Sequence, residues 1–137
     1  MGWMKYKYKC RIEGDGMHCD FPYLTVTVSN GDISIPVEGL IDSGCQLTHI
    51  RSDLAEALGI DLSSVPETTS IGATGSSTCK LSKVTISIKD HGEPFESPAI
   101  FSDKLPIPLL LGQDNFFEKF DVKFEKRNNR FEIRRVL

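Results

Sequence analysis

The chain has no apolar run approaching the roughly 20 residues of a membrane-spanning helix, which sets aside helical membrane insertion. Its first residues, MGWMKYKYKCR, are basic and alternating and lack the apolar core of a signal peptide, so the expected location is the cytoplasm. Cysteine is sparse: Cys10, Cys19, Cys45 and Cys79 form no CxxC pair and no zinc-ligand spacing. No metal site and no cofactor are therefore expected, and without a secretion signal the expectation is four reduced thiols. Histidine is sparser still. His18, His49 and His91 show no recognisable nucleophile–base spacing with Cys45, which counts against thiol catalysis, and His49 reads as a structural histidine. Repeats, low-complexity stretches and linkers are missing too, so 137 residues imply one domain.

Positive charge is sparse in the middle of the chain. Residues 1–11 and 119–137 hold eleven of the sixteen Lys and Arg, while residues 12–118 carry five basic against sixteen acidic residues, a balance of −11. Basic ends suggest nucleic acid at first sight. Here the cations alternate with Tyr, Phe, Ile and Glu along apparent strands, as on a solvated sheet face, and no basic, aromatic-lined central face accompanies them. Neither nucleic acid nor membrane is expected as a partner.

What is present is strand signal. Met4–Cys10 alternates, Tyr23–Val28 is rich in β-branched and aromatic residues, and Asn30-Gly31 marks a tight hairpin into Ile33–Glu38. Further strands are expected at Thr68–Ile71, Thr78–Lys89, Phe95–Phe101, Phe120–Phe124 and Arg130–Val136. Residues 52–58 read as one short helix stopped by Gly59. Pro106 and Pro108 mark a loop, and residues 12–20 are the stretch expected to be irregular. Many short strands with almost no helical crossover argue for an all-β barrel with one or two short helices.

Within this pattern, Leu40-Ile41-Asp42-Ser43-Gly44 sets a carboxylate at the end of an apolar strand, followed by a hydroxyl residue and a glycine. The hydroxyl can bond to backbone, and glycine permits a tight turn and close approach. Asp-Ser/Thr-Gly alone occurs by chance in about one chain of this size in twenty. Leu110-Leu111-Gly112-Gln113-Asp114, some seventy residues on, makes the pattern far more specific. Between them lies Ile71-Gly72-Ala73-Thr74-Gly75, a compliant hairpin tip.

On these motifs the chain resembles the retropepsin-like aspartic proteases, from about Phe21 to Val136. It is most similar to the bacterial single-domain type and to the retroviral-protease-like domain of eukaryotic ubiquitin-shuttle proteins. The resemblance implies a closed acid-protease barrel over residues 21–137, with residues 1–20 as an N-terminal strand and irregular extension. It implies Asp42, Ser43 and Gly44 as the catalytic loop. Gln46 and the flap residues Ile71, Gly72, Ala73, Thr74 and Gly75 would then contact a peptide or protein substrate. Cys45 stands where the family usually has Ala. Gln46 and Gln113 stand where viral members place an ion pair, so a neutral contact between them is expected. Asp114 is expected to cap a helical turn beginning Asn115-Phe116-Phe117.

Peptide hydrolysis by this route needs two carboxylates about one water, and the chain has one triplet. The implied enzyme is therefore a homodimer with one Asp42 from each subunit. Two rivals stand beside this reading: a catalytically silent dimeric module of the same fold that grips extended peptides, and an unrelated small β-barrel binding nucleic acid through its basic ends. The intact triplet counts against the first, and the charge pattern against the second.

Overall fold

The computed structural model describes residues 2–72 and 75–136. Six strands close into a barrel: β4 (Tyr23–Asn30), β5 (Ile33–Ile41), β10 (Leu109–Leu111), β6 (Thr48–Arg51), β9 (Phe95–Ser102) and β8 (Gly75–Ser87), in that order. The pairs Thr27↔Ser87, Val28↔Ile86 and Ser29↔Thr85 join β4 back to β8 and complete the closure. Period-2 alternation explains which side faces inward. Leu24, Val26 and Val28 on β4, Val37 and Ile41 on β5, and Leu109 and Leu111 on β10 are all buried. Gly39 on β5 is needed for space, since a Cβ there would lie 2.9 Å from Leu109 Cδ2.

The β4–β5 hairpin forms as expected, with its two-residue loop one position further on, at Gly31-Asp32. Asn30 pairs with Ile33, Gly31 takes a φ of 59°, and the Asn30 side-chain amide donates to Leu58 O at 2.9 Å. The helix α1 (Asp53–Ala57) ends at Gly59, whose φ is 69°. There Gly59 N donates to Glu56 O and Ile60 N to Ala55 O, the paired closing bonds that a left-handed glycine makes possible. Brief helical turns at 62–64, 113–117 and 126–128 complete the helical content of the described residues.

Besides the hairpin of residues 9–21, two strand units lie outside the barrel. Strand β7 (Glu67–Gly72) pairs with the outer half of β8 from Glu67↔Lys80 to Gly72↔Gly75, making a projecting ribbon. Strands β1 (Met4–Lys7), β12 (Arg130–Arg135) and β11 (Phe120–Glu125) form a terminal sheet that joins both ends of the chain. An aromatic layer fills the space beneath it. Tyr6 stacks on Phe131 at 5.3 Å, Phe116 stacks on Phe120 at 5.2 Å, and buried His91 meets the edge of Phe120 at 5.6 Å.

Three expectations are corrected. Met4–Cys10 is not one strand, because the chain breaks at Tyr8, whose amide donates to Asn129 O. Residues 12–20 are not irregular: β2 (Lys9–Glu13) and β3 (Gly16–Phe21) make a hairpin across a tight turn at Gly14-Asp15. The thiols are not all reduced, because Cys10 and Cys19 form a disulfide across that hairpin. A two-stranded hairpin with no core of its own is marginally stable, so a covalent tie is physically apt there.

Candidate active site

The loop 42–47 sits where the parallel pair β5–β10 ends. Leu111 is opposite Ile41, and the two strands diverge just beyond. The Asp42 amide donates to Leu111 O at 3.0 Å, and the Ile41 amide to Pro22 O at 3.1 Å, so neighbouring chain fixes Asp42 from both sides. Its carboxylate accepts from Gly44 N at 3.0 Å, and Cys45 N closes the turn onto Asp42 O at 3.2 Å. A Cβ on Gly44 would lie 3.3 Å from Asp42 Oδ1, so glycine leaves the carboxylate room. Asp42 is half-buried, while Ser43 and Gly44 are exposed. A carboxylate held by backbone and open on one side is suited to meeting a second acid and a water.

The glycine-ended strand β10 braces this loop from beneath. Gln113 N donates to Cys45 O and Asp114 N to Gln46 O, both at 2.8 Å. Gly112 passes so close beneath that a Cβ would sit 2.7 Å from Leu47 O and 2.8 Å from Cys45 O. The neutral Gln46–Gln113 contact expected from sequence is replaced by two separate bonds. Gln113 Nε2 donates to Ser43 O at 2.7 Å, and Gln46 Nε2 donates to Asp114 Oδ1 at 2.5 Å. Gln113 thus reaches the carbonyl next to the candidate catalytic residue. Asp114 does not cap the turn at Asn115-Phe116-Phe117. Its carboxylate takes Gln46 instead, and Asn115 adopts a φ of 69° that interrupts regular helix.

Cys45 and His49 form a pair that the sequence spacing did not reveal. Cys45 Sγ lies 3.1 Å from His49 Nδ1, and both atoms reach Leu47 O, at 2.9 and 2.8 Å. Cys45 lies on the loop and His49 on β6, so a spacing of four carries no periodic signal, and the pair is not legible in the sequence. The geometry alone resembles a nucleophile and its base. Electrostatics opposes that role: burial, and then the adjacent Asp42 carboxylate, push the Cys45 thiol up to about 11. At neutral pH it is a protonated thiol, and the thiolate is the nucleophile.

Of the expected flap residues, Ile71 and Gly72 end β7, and Gly75, with a φ of 130°, begins β8; Ala73 and Thr74 lie outside the described residues. The backbone pair Gly72↔Gly75 is the last rung of the β7–β8 ribbon. Among the described residues one group has metal-ligand character, Glu13, Asp15 and His18, on the β2–β3 hairpin and not beside Asp42. Its members are already paired, Glu13 with Arg11 at 2.8 Å and Asp15 with His18 at 2.7 Å, and no metal is assigned to them.

In fold the chain is similar to a retropepsin-like aspartic protease from Rickettsia conorii. The TM-score is 0.67 at 20% identity, covering 96% of this chain and 98% of that one. It is also similar to the EIAV protease solved in complex with the inhibitor HBY-793, with a TM-score of 0.56 at 20% identity over 72% of this chain and 88% of that one. No curated protein matches the sequence. A family model described as aspartyl protease matches residues 24–115, a span that holds the Asp42 loop, the β7–β8 ribbon and the Leu111-Gly112 brace. With well over half of its length inside that match, and with a retropepsin-like barrel, the chain belongs to the aspartyl protease family.

Proposed function

We propose that the protein is an aspartic endopeptidase that works as a homodimer. The observation carrying this reading is the presentation of Asp42: one carboxylate per chain, anchored by backbone on both sides and half-open on the end of the barrel. Two such loops related by a two-fold axis bring two carboxylates to one water. The ionised member takes a proton from the water as it attacks the scissile carbonyl carbon. The protonated member gives its proton to the carbonyl oxygen; the first then passes the water's proton to the scissile nitrogen. The tetrahedral diol collapses with cleavage of the C–N bond, releasing the amine and returning its hydroxyl proton to the other carboxylate. Like charges a few ångströms apart make the doubly ionised pair costly, so one proton is kept between them.

In this reading Ser43 braces the two loops across the axis, and Gly44 keeps the approach to the carboxylate clear. Gln46 and the ribbon end at Ile71, Gly72, Ala73, Thr74 and Gly75 hold an extended peptide, the glycines allowing close approach of its backbone. The raised Cys45 thiol favours the carboxylate over a thiol nucleophile.

The test is peptide cleavage across a mixed library at several pH values, by the wild-type chain and by Asp42→Asn. The substitution keeps shape and removes proton transfer, so the rate is expected to fall by about a thousandfold while fold and dimer persist. Wild-type rates in Asp42→Asn would sink the reading.

A further inference from the structure

The β2–β3 hairpin has two unlike faces. Ile12 and Met17 are direct cross-strand partners, and alternation along each strand puts them on the same side as the disulfide-bonded Cys10 and Cys19. At its root this face packs Cys19 against the protein core. Further out it leaves Ile12 81% and Met17 67% exposed. The opposite face is charged and satisfied within the hairpin: Arg11 pairs with Glu13 and Asp20, and His18 approaches Asp15, Glu13 and Asp20. Among the described residues, the apolar face is the one without a partner.

The position of the hairpin says what would cover it. Its return strand β3 runs into Pro22, whose carbonyl accepts from Ile41 N, the residue before Asp42. Lys9 pairs with Glu38 on β5, the strand that delivers Asp42, and Lys126 Nζ in the turn after β11 donates to Cys19 O at 2.7 Å, so the root is tied to both. The five residues of β2 give a reach of about 17 Å from that root. A second copy whose Asp42 lies a few ångströms from the first would have its own Asp42 loop within this distance of the root. Meanwhile β12, the middle strand of the terminal sheet, has both edges filled by β1 and β11 of its own chain.

We infer that the hairpin is a dimerisation arm. It lays Ile12 and Met17 on the second copy, and the Cys10–Cys19 disulfide holds it in the conformation that does so. This rests on the dimeric reading above and adds the surface that makes the dimer. Exposed apolar side chains beside an axis gain most by meeting the same patch's surroundings on a twin, because a two-fold contact uses each arm twice.

Sedimentation equilibrium on the full chain tests it, comparing wild type, Ile12→Ser with Met17→Ser, and Cys10→Ser with Cys19→Ser. Since Ile12 and Met17 are exposed, the first pair leaves folding intact. The expected result is a dimer dissociation constant raised at least about tenfold in both double variants. Peptide turnover per dimer should be unchanged at concentrations that restore the dimer. A constant within about twofold of wild type for Ile12→Ser with Met17→Ser overturns the arm. So does an unchanged constant accompanied by a raised KM for protein substrates, which would make the hairpin a substrate dock. Failure of the protease reading shows separately, as Asp42→Asn cleaving like wild type, and leaves the sedimentation result to judge the arm. A wild-type chain that stays monomeric throughout overturns both.

Discussion

At the scale of single residues, three positions carry forces that can be measured. Gly112 passes beneath the Asp42 loop where a Cβ would collide with two backbone carbonyls. Its φ of −102° suits any residue, so the requirement is space alone. Gly112→Ala should destabilise the fold by about 1–3 kcal/mol, read as a lowered midpoint in urea, and should reduce activity further by lifting the loop. Gln113→Ala removes the amide that holds Ser43 O, a hydrogen bond worth about 0.5–1.5 kcal/mol, so kcat should fall several-fold with little change in melting temperature. His91 is buried, with Nε2 on the Tyr6 hydroxyl at 2.8 Å and, among the described residues, no partner for Nδ1. Burial lowers its affinity for a proton, and Arg135 adds to this against the opposing pull of Asp90. The folded state therefore holds His91 neutral at pH values where the unfolded chain charges it. Its contribution is complete above about pH 6.5 and is lost as pH falls below that, so melting temperature should drop between pH 7 and 5. His91→Gln should flatten that part of the profile. A wild-type melting temperature that rises on acidification would contradict the assignment.

Elements differ in how much of them the sequence discloses. Strands with one buried face, such as β4 with Leu24, Val26 and Val28, announce themselves by alternation, and α1 does so through its Gly59 stop. The Asp42 loop was legible because a carboxylate, a hydroxyl and a glycine at a strand end have few other uses together. Strand β6 was not legible as a strand, because Thr48–Arg51 is four residues long and its identity comes from pairing with β9 and β10. The β2–β3 hairpin was hidden for a related reason: its charged face satisfies itself, and its disulfide supplies a constraint that composition does not report. Nor could spacing show that Gln46 and Gln113 choose different partners, since both depend on how β10 meets the loop. The β7–β8 ribbon gives the element-scale prediction. Gly72→Val adds a branched side chain at the last rung, opposite Gly75, and should raise KM and lower kcat together if the ribbon end closes over peptide. Unchanged kinetics would make it an ordinary turn.

For the whole molecule, the barrel supplies one carboxylate, and the proposed chemistry uses two. A dyad on a two-fold axis titrates as a pair, so kcat/KM should trace a bell with its optimum on the acid side of neutrality. His91 lowers stability over part of the same range, so the acid limb must be read beside a melting curve at each pH. A value of kcat/KM still rising at pH 9 would instead implicate the Cys45 thiol, which burial and Asp42 push up to about 11. Specific activity should also fall on dilution as dimers separate. The most direct test mixes wild-type chain with a ninefold excess of Asp42→Asn, under conditions where chains exchange and all are dimeric. If each site needs both carboxylates, activity per wild-type chain should drop to about a tenth, because nearly every wild-type chain is then paired with a variant. Activity per wild-type chain that does not change on mixing would show that one chain carries a complete site, and would contradict the account.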